Sequence, residues 1–206
     1  ATAAFWDAPR GLLADDLAHT YFSEHSQCLA LLSGRVTGDR RARLVEGLLN
    51  DEDLARMTIY FSHYLFETLR LVGRIDRLFE RLETWFELPD LGFRTTREAP
   101  EPSRSDCHAW GAHPIYHSYA TILGVRPGDF GFATVEIRPA FGPLTSIDAA
   151  LPHPRGEIGV TLKRKAETDL EGEVRLPDGV RGFLHYGGHA LVLEPGVQSI
   201  DLHTEA

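Results

Sequence analysis

From Thr95 to Pro114 the sequence reads Thr-Thr-Arg-Glu-Ala-Pro-Glu-Pro-Ser-Arg-Ser-Asp-Cys-His-Ala-Trp-Gly-Ala-His-Pro. This run gathers the carboxylates of Glu98, Glu101 and Asp106, the imidazoles of His108 and His113, the cations Arg97 and Arg104 and the indole of Trp110. Carboxylates beside an aromatic ring are what cleavage of a sugar linkage needs: one group moves protons while a flat apolar face packs on the C–H side of the pyranose. Composition alone favours a plainer reading, a charged surface loop tied down by prolines. Two other chemistries fall short. His108, His113 and His117 are spaced by five and four, but the set matches no closed zinc site, so neither metal nor cofactor is expected. Ser103 or Ser105 with His108 lacks the glycine-rich elbow and the oriented acid of a nucleophilic centre.

The stretch falls between helical patterns. Leu54, Met57, Phe61, Leu65 and Leu69 fall on one helical face, with Asn50 or Asp51 as the predicted cap and Gly73 as the ending. Ile75, Leu78, Phe79, Leu82 and Phe86 form a second face that stops before Pro89, so the two helices read as a hairpin. Shorter patterns cover Tyr21–Leu32 and Asp39–Leu49, and Pro114 suits the first turn of a helix running to Leu123 and closed by Gly124. The segment from Glu87 to Pro114 contains Pro89, Gly92, Pro100, Pro102 and Gly111, and an irregular connection of that length inside a compact domain points to function.

After Gly131 the hydrophobic period becomes two, at Val135–Arg138, Ile158–Lys163 and Gly172–Leu176. Gly187-Gly188, between Phe183–Tyr186 and Ala190–Leu193, suits a two-residue hairpin turn, and Val197–Leu202 reads as a further strand. The expectation is an α+β chain with helices over 1–126 and a small antiparallel β domain of about five to seven strands over 127–206.

The chain has 206 residues, 43% of them hydrophobic and 25% charged, which excludes disorder as its main state. A formal charge of −9 offers no basic face to nucleic acid or to an anionic membrane, and no apolar run is long enough for a membrane helix. Without the pattern of a signal peptide the expected location is cytoplasmic, with Cys28 and Cys107 reduced. Met57 is the only methionine, which suggests a processed protein or part of a longer one.

Ser103–Pro114 in this order, with Thr95-Thr96-Arg97-Glu98 ahead of it and Leu123-Gly124-Val125-Arg126-Pro127 behind, resembles the α-L-rhamnosidase family of glycoside hydrolases. The resemblance also runs through Trp6-Asp7, Gly11-Leu12, Tyr21–Gln27 and Tyr60–Tyr64, and through Val135–Pro139, Gly142–Leu144 and Pro152–Gly156. It implies an inverting hydrolase: a partial (α/α) helical-hairpin toroid followed by a small antiparallel β-sandwich, acting on rhamnose-containing glycosides. It places the general base at Glu98 and sugar contacts at His108 and Trp110, with Tyr21, His25 and Tyr64 as further pocket-lining residues. Arg97, where many relatives have an apolar residue, would favour an ionised Glu98. The family's general acid lies in an earlier acidic segment that nothing here matches. The chain therefore resembles the C-terminal portion of such an enzyme, or a catalytically incomplete sugar-binding or assembly module, and apolar helix faces without neighbours are expected to promote self-association.

Overall fold

The computed structural model describes residues 2–203. They divide into two compact units, Ala1–Pro114 and Ile115–Ala206. The division lies ahead of the expected one after Arg126 because Leu123 and Val125 belong to the core of the second unit.

In the first unit α1 (Thr2–Phe5) leads into a ribbon of β1 (Trp6–Asp7) and β2 (Leu12–Leu13). Ser23 precedes α2 (Glu24–Leu32) with an extended backbone, and its hydroxyl accepts from the Ser26 N–H, a first-turn donor that otherwise lacks a partner. Then follow α3 (Gly38–Asn50), α4 (Ser62–Leu71) and α5 (Ile75–Phe86), the last two joined at Gly73, where φ is 74°. The hairpin expected from the two amphipathic runs is thus present. Helix α2 packs on α3 and α4, and α4 on α5, around Leu31, Leu44, Leu65, Phe66, Leu69 and Leu78.

The first helix of that hairpin starts later than expected. Asp51 does not cap it; it ends α3 and pairs through its carboxylate with Arg10 at 2.6 Å. Residues 51–61 stay irregular because tertiary bonds claim their backbone. Ala55 N–H donates to the Phe22 carbonyl and Ala55 O accepts from Glu24 N–H, each at 3.0 Å, while Met57 N–H donates to the Glu24 carboxylate at 2.7 Å. Leu54 and Met57 are nonetheless buried and Phe61 is half-buried, so the apolar pattern reported burial correctly at its first two positions and conformation wrongly. Glu24 is itself buried, and Arg81 of α5 satisfies both of its oxygens at 2.8 and 2.9 Å.

The chain continues through α6 (Pro114–His117) and a wider turn over Ser118–Ile122, in which Leu123 N–H reaches the Ser118 carbonyl at 2.9 Å. The second unit then forms strands: β3 (Val125–Pro127), β4 (Thr134–Ile137), β5 (Ser146–His153), β6 (Gly156–Arg164), β7 (Leu170–Leu176), β8 (Arg181–Tyr186), β9 (His189–Leu193) and β10 (Gly196–Leu202). One sheet has the order β10-β7-β6-β5 and is antiparallel throughout. The other has the order β3-β4-β8-β9, and its β4–β8 pair is parallel, so the domain expected to be antiparallel carries one mixed sheet. Strands β3 and β5 lie outside those expected from the sequence, β3 because it is short; β5 nevertheless alternates, with Ile147, Ala149, Leu151 and His153 turned inward. Gly187 and Gly188 make the β8–β9 turn with φ of 54° and 83°, the positive values such a hairpin requires. Inward residues of both sheets, among them Val135, Ile137, Ile158, Val160, Val174 and Leu184, share one core, which makes the unit a β-sandwich.

Candidate functional site

The irregular segment after α5 is held by hydrogen bonds rather than by regular structure. His108 N–H donates to the Thr96 carbonyl at 2.7 Å, and Thr96 Oγ1 donates back to the His108 carbonyl at 2.6 Å. Glu98 N–H donates to the Ser105 carbonyl at 2.9 Å, and Thr95 Oγ1 reaches the Asp106 carbonyl. These bonds place Glu98 and His108 on two facing stretches of one loop. The far end is tied to the helices: Trp85 Nε1 donates to the Gly111 carbonyl at 2.7 Å, and His113 Nε2 lies 3.0 Å from the Ile59 carbonyl. Burial pushes the His113 imidazole down to about 4, with His63 adding to the effect and the Ile59 contact opposing it, so the ring is neutral at physiological pH.

The Glu98 side chain is 17% exposed and receives Arg104 in a two-pronged contact, Nη2 to Oε1 at 2.5 Å and Nε to Oε2 at 3.0 Å. That hydrogen-bonded guanidinium holds the Glu98 carboxyl below its ordinary range, and His108 adds a smaller electrostatic contribution against the opposing effect of burial. The cation beside Glu98 is therefore Arg104. Arg97, its neighbour in sequence, lies over the Phe93 ring at 5.2 Å.

Aromatic rings adjoin this carboxylate. His108, Trp110 and Tyr60 form a triangle with centroid separations of 5.7 Å (Tyr60–His108), 5.8 Å (Tyr60–Trp110) and 6.0 Å (His108–Trp110). Tyr60 continues to Phe61 at 6.2 Å, and Phe61 touches His25 at 4.6 Å and Tyr64 at 4.7 Å. Of the six expected site residues, Glu98, His108 and Trp110 lie on the same loop, and His25 and Tyr64 join the ring strip through Phe61. Tyr21 is exposed and makes no ring contact with the strip. Trp110 is 72% exposed, which suits a stacking face better than a packing role. His108 Nε2 is closed off from solvent and meets no hydrogen-bond partner among the described residues.

Tyr60, Phe61, Thr96 and Arg104 escape sequence reasoning although all four lie in segments that carry the family resemblance. The available signal was adjacency: Tyr60 and Phe61 open the Tyr60–Tyr64 run, and Arg104 stands between two serines that can brace it. A cavity of about 290 Å³ lies elsewhere in the same unit, against Glu24, Arg77 and Arg81, and none of the strip residues lines it. Cys28 and Cys107 are both free thiols; Cys28 is buried and pushed up to about 12 by that burial, while Cys107 is exposed. No helix among the described residues is long and apolar enough to cross a membrane.

Residues 124–200 match the family model of the bacterial alpha-L-rhamnosidase C-terminal domain. Among solved structures, the chain is similar to a GH78 family rhamnosidase of Bacillus sp. GL1, with TM-score 0.77 and 24% identity over 89% of this chain and 21% of that one. It is also similar to an alpha-L-rhamnosidase of Aspergillus terreus, with TM-score 0.77 and 17% identity over 96% of this chain and 25% of the other. A third is the Streptomyces avermitilis alpha-L-rhamnosidase complexed with L-rhamnose, with TM-score 0.65 and 20% identity over 82% of this chain and 19% of that one. The chain thus spans no more than 25% of the length of each of these proteins. No curated protein sequence matches it significantly.

Proposed function

We propose that this chain, which belongs to the C-terminal part of the bacterial α-L-rhamnosidase family, supplies the general base of an inverting hydrolase that releases terminal L-rhamnose from glycosides. The reading rests on one observation: Glu98 is a mostly covered, ionised carboxylate beside the His108 imidazole and the exposed Trp110 indole. In an inverting reaction the base takes a proton from water as the oxygen attacks the anomeric carbon, on the face opposite the departing alcohol. A second carboxylic acid, about 6.5–9.5 Å from the first, protonates the glycosidic oxygen so that the leaving group departs neutral. Glu98 suits the first step because its proton-accepting form is already populated at neutral pH. His108 serves a ring hydroxyl and Trp110 packs on the apolar face of the deoxyhexose, with His25 and Tyr64 extending the same surface. Tyr21 remains a more distant pocket-lining residue.

In this reading helices α2–α5 are hairpins of an (α/α) toroid, and the acid comes from outside these residues. A second reading is favoured by the short span against the solved relatives: the chain is a catalytically incomplete sugar-binding or assembly module. Hydrolysis of a chromogenic α-L-rhamnoside separates the two. If the chain is sufficient it turns over, and Glu98→Gln lowers the rate about 100–10,000-fold, the usual contribution of a positioned base. If it is incomplete, turnover is absent while calorimetric titration still detects weak binding of L-rhamnose. Undiminished turnover in Glu98→Gln removes Glu98 as base, and absence of both turnover and binding removes self-sufficient hydrolysis and the sugar-binding module, leaving an assembly role or a base that acts only together with the segment that supplies the acid.

A further inference from the structure

The loop contains three carboxylates, Glu98, Glu101 and Asp106, and a single guanidinium selects one of them. We propose that Arg104 is the positioning residue of this site: a side chain that fixes the orientation of the Glu98 carboxylate plane while leaving it free to accept a proton. The inference rests on the reading of Glu98 as base and adds the group that makes it directional.

The geometry carries it. Both oxygens of Glu98 are engaged by two different nitrogens of Arg104, a fork-to-fork contact that fixes the carboxylate plane where a single bond would fix only a distance. A carboxylate has about four lone-pair sites, and the fork occupies two, so each oxygen keeps a direction open for water. The clamp therefore orients the base without blocking it. Exposure is unequal, 84% for the Arg104 side chain against 17% for Glu98. An exposed arginine gains little from a surface ion pair as such. Here its backbone is braced beforehand: Ser103 Oγ donates to the Ser105 carbonyl at 3.0 Å, Ser105 N–H donates to Ser103 Oγ at 3.3 Å, and Ser103 N–H donates to Glu101 Oε2 at 2.9 Å. Glu101 is thereby occupied in holding the turn that presents Arg104, which assigns the neighbouring carboxylates different tasks. Arg97 is turned onto Phe93 and does not compete.

Two groups act electrostatically on Glu98, namely Arg104 and His108, and Tyr60 acts in turn on Arg104. The arrangement exchanges basicity for direction, since a carboxylate stabilised by a cation is a weaker base that stays ionised in more acidic solution. A positioned but weakened base suits a reaction in which the attacking water must lie on one face of the sugar.

Nuclear magnetic resonance on the 206-residue chain tests this without turnover. With carbon-labelled glutamate and nitrogen-labelled arginine, the Glu98 carboxyl and the Arg104 Nε–H signals are assigned from Glu98→Gln and Arg104→Lys and followed against pH. The expected result in the wild-type chain is one shared midpoint for both signals, lying below that of free glutamate. Arg104→Gln shifts the Glu98 midpoint upward. Arg104→Lys, which keeps the charge and loses the fork, leaves a smaller upward shift and abolishes the slow side-chain exchange of the pair. Separate midpoints in the wild type, or an unmoved Glu98 in Arg104→Gln, overturn the clamp. The wild-type titration alone decides the matter if a variant misfolds. Failure of the clamp leaves the hydrolysis test of Glu98 untouched, and a shared midpoint with undiminished turnover in Glu98→Gln keeps the clamp while removing the base.

Discussion

The sandwich and the loop that carries Glu98 are held together by different physics. In the sandwich, ladders run through two sheets, and side chains such as Ile158, Val174 and Leu184 are wholly buried in a single apolar core. In the loop, conformation depends on a few directed bonds, from Thr96, Trp85 and Ser103, and its rings range from half-buried His108 to exposed Trp110. Non-directional burial distributes stability over many contacts; directed bonds concentrate precision in few. The difference teaches where substitution costs stability and where it costs geometry.

The largest expected effect lies in the sandwich. Ile158→Ala leaves a cavity in a fully packed site and destabilises the unit by about 2–5 kcal/mol, measured by denaturant unfolding with near-ultraviolet circular dichroism. A loss below about 1 kcal/mol would mean that the core relaxes around the gap and that the two regions are less distinct than described. Trp85→Phe is smaller in energy and sharper in consequence. It removes the donor to the Gly111 carbonyl, at a cost of about 1–3 kcal/mol, and releases the end of the loop that carries His108 and Trp110. Sugar affinity, read by calorimetry, should fall by more than the stability loss explains; unchanged affinity would show that the loop does not need this tie.

The third effect is graded with pH. His113 is depressed in the folded chain relative to an unfolded imidazole, so the folded state binds fewer protons between the two values. Stability of the helical unit is then complete above about pH 6.5 and declines as the solution is acidified towards about 4. His113→Gln should flatten that part of the stability profile. A profile identical to that of the wild type would place the acid sensitivity elsewhere.

Much of this organisation is legible in residue order. The helical hairpin over α4 and α5, the corner at Gly73, the Gly187-Gly188 turn and most of the long strands follow from periodicity and turn chemistry, because those signals are local. The start of α4 is not legible: Leu54 and Met57 keep the apolar spacing of a helix while Glu24, far away in sequence, draws their segment into irregular pairing. The parallel β4–β8 pair is likewise invisible to alternation, which reports which face is buried and says nothing about the neighbour's direction. At the candidate site, the run from Thr95 to Pro114 announced carboxylates beside rings. Which cation meets Glu98 depended on loop geometry, so Arg97, adjacent in sequence, yielded to Arg104.

By itself, then, the sequence determined the α+β order of elements, the irregular segment and the residue types gathered there, since hydrophobic period, glycine placement and proline content act over a few neighbouring residues. Only the tertiary structure decided the partners: Arg81 for buried Glu24, Arg104 for Glu98, and Tyr60 as the ring between His108 and Phe61. The physical reason is that a charge or a ring finds its partner through space, along directions set by the packing of elements distant in the chain.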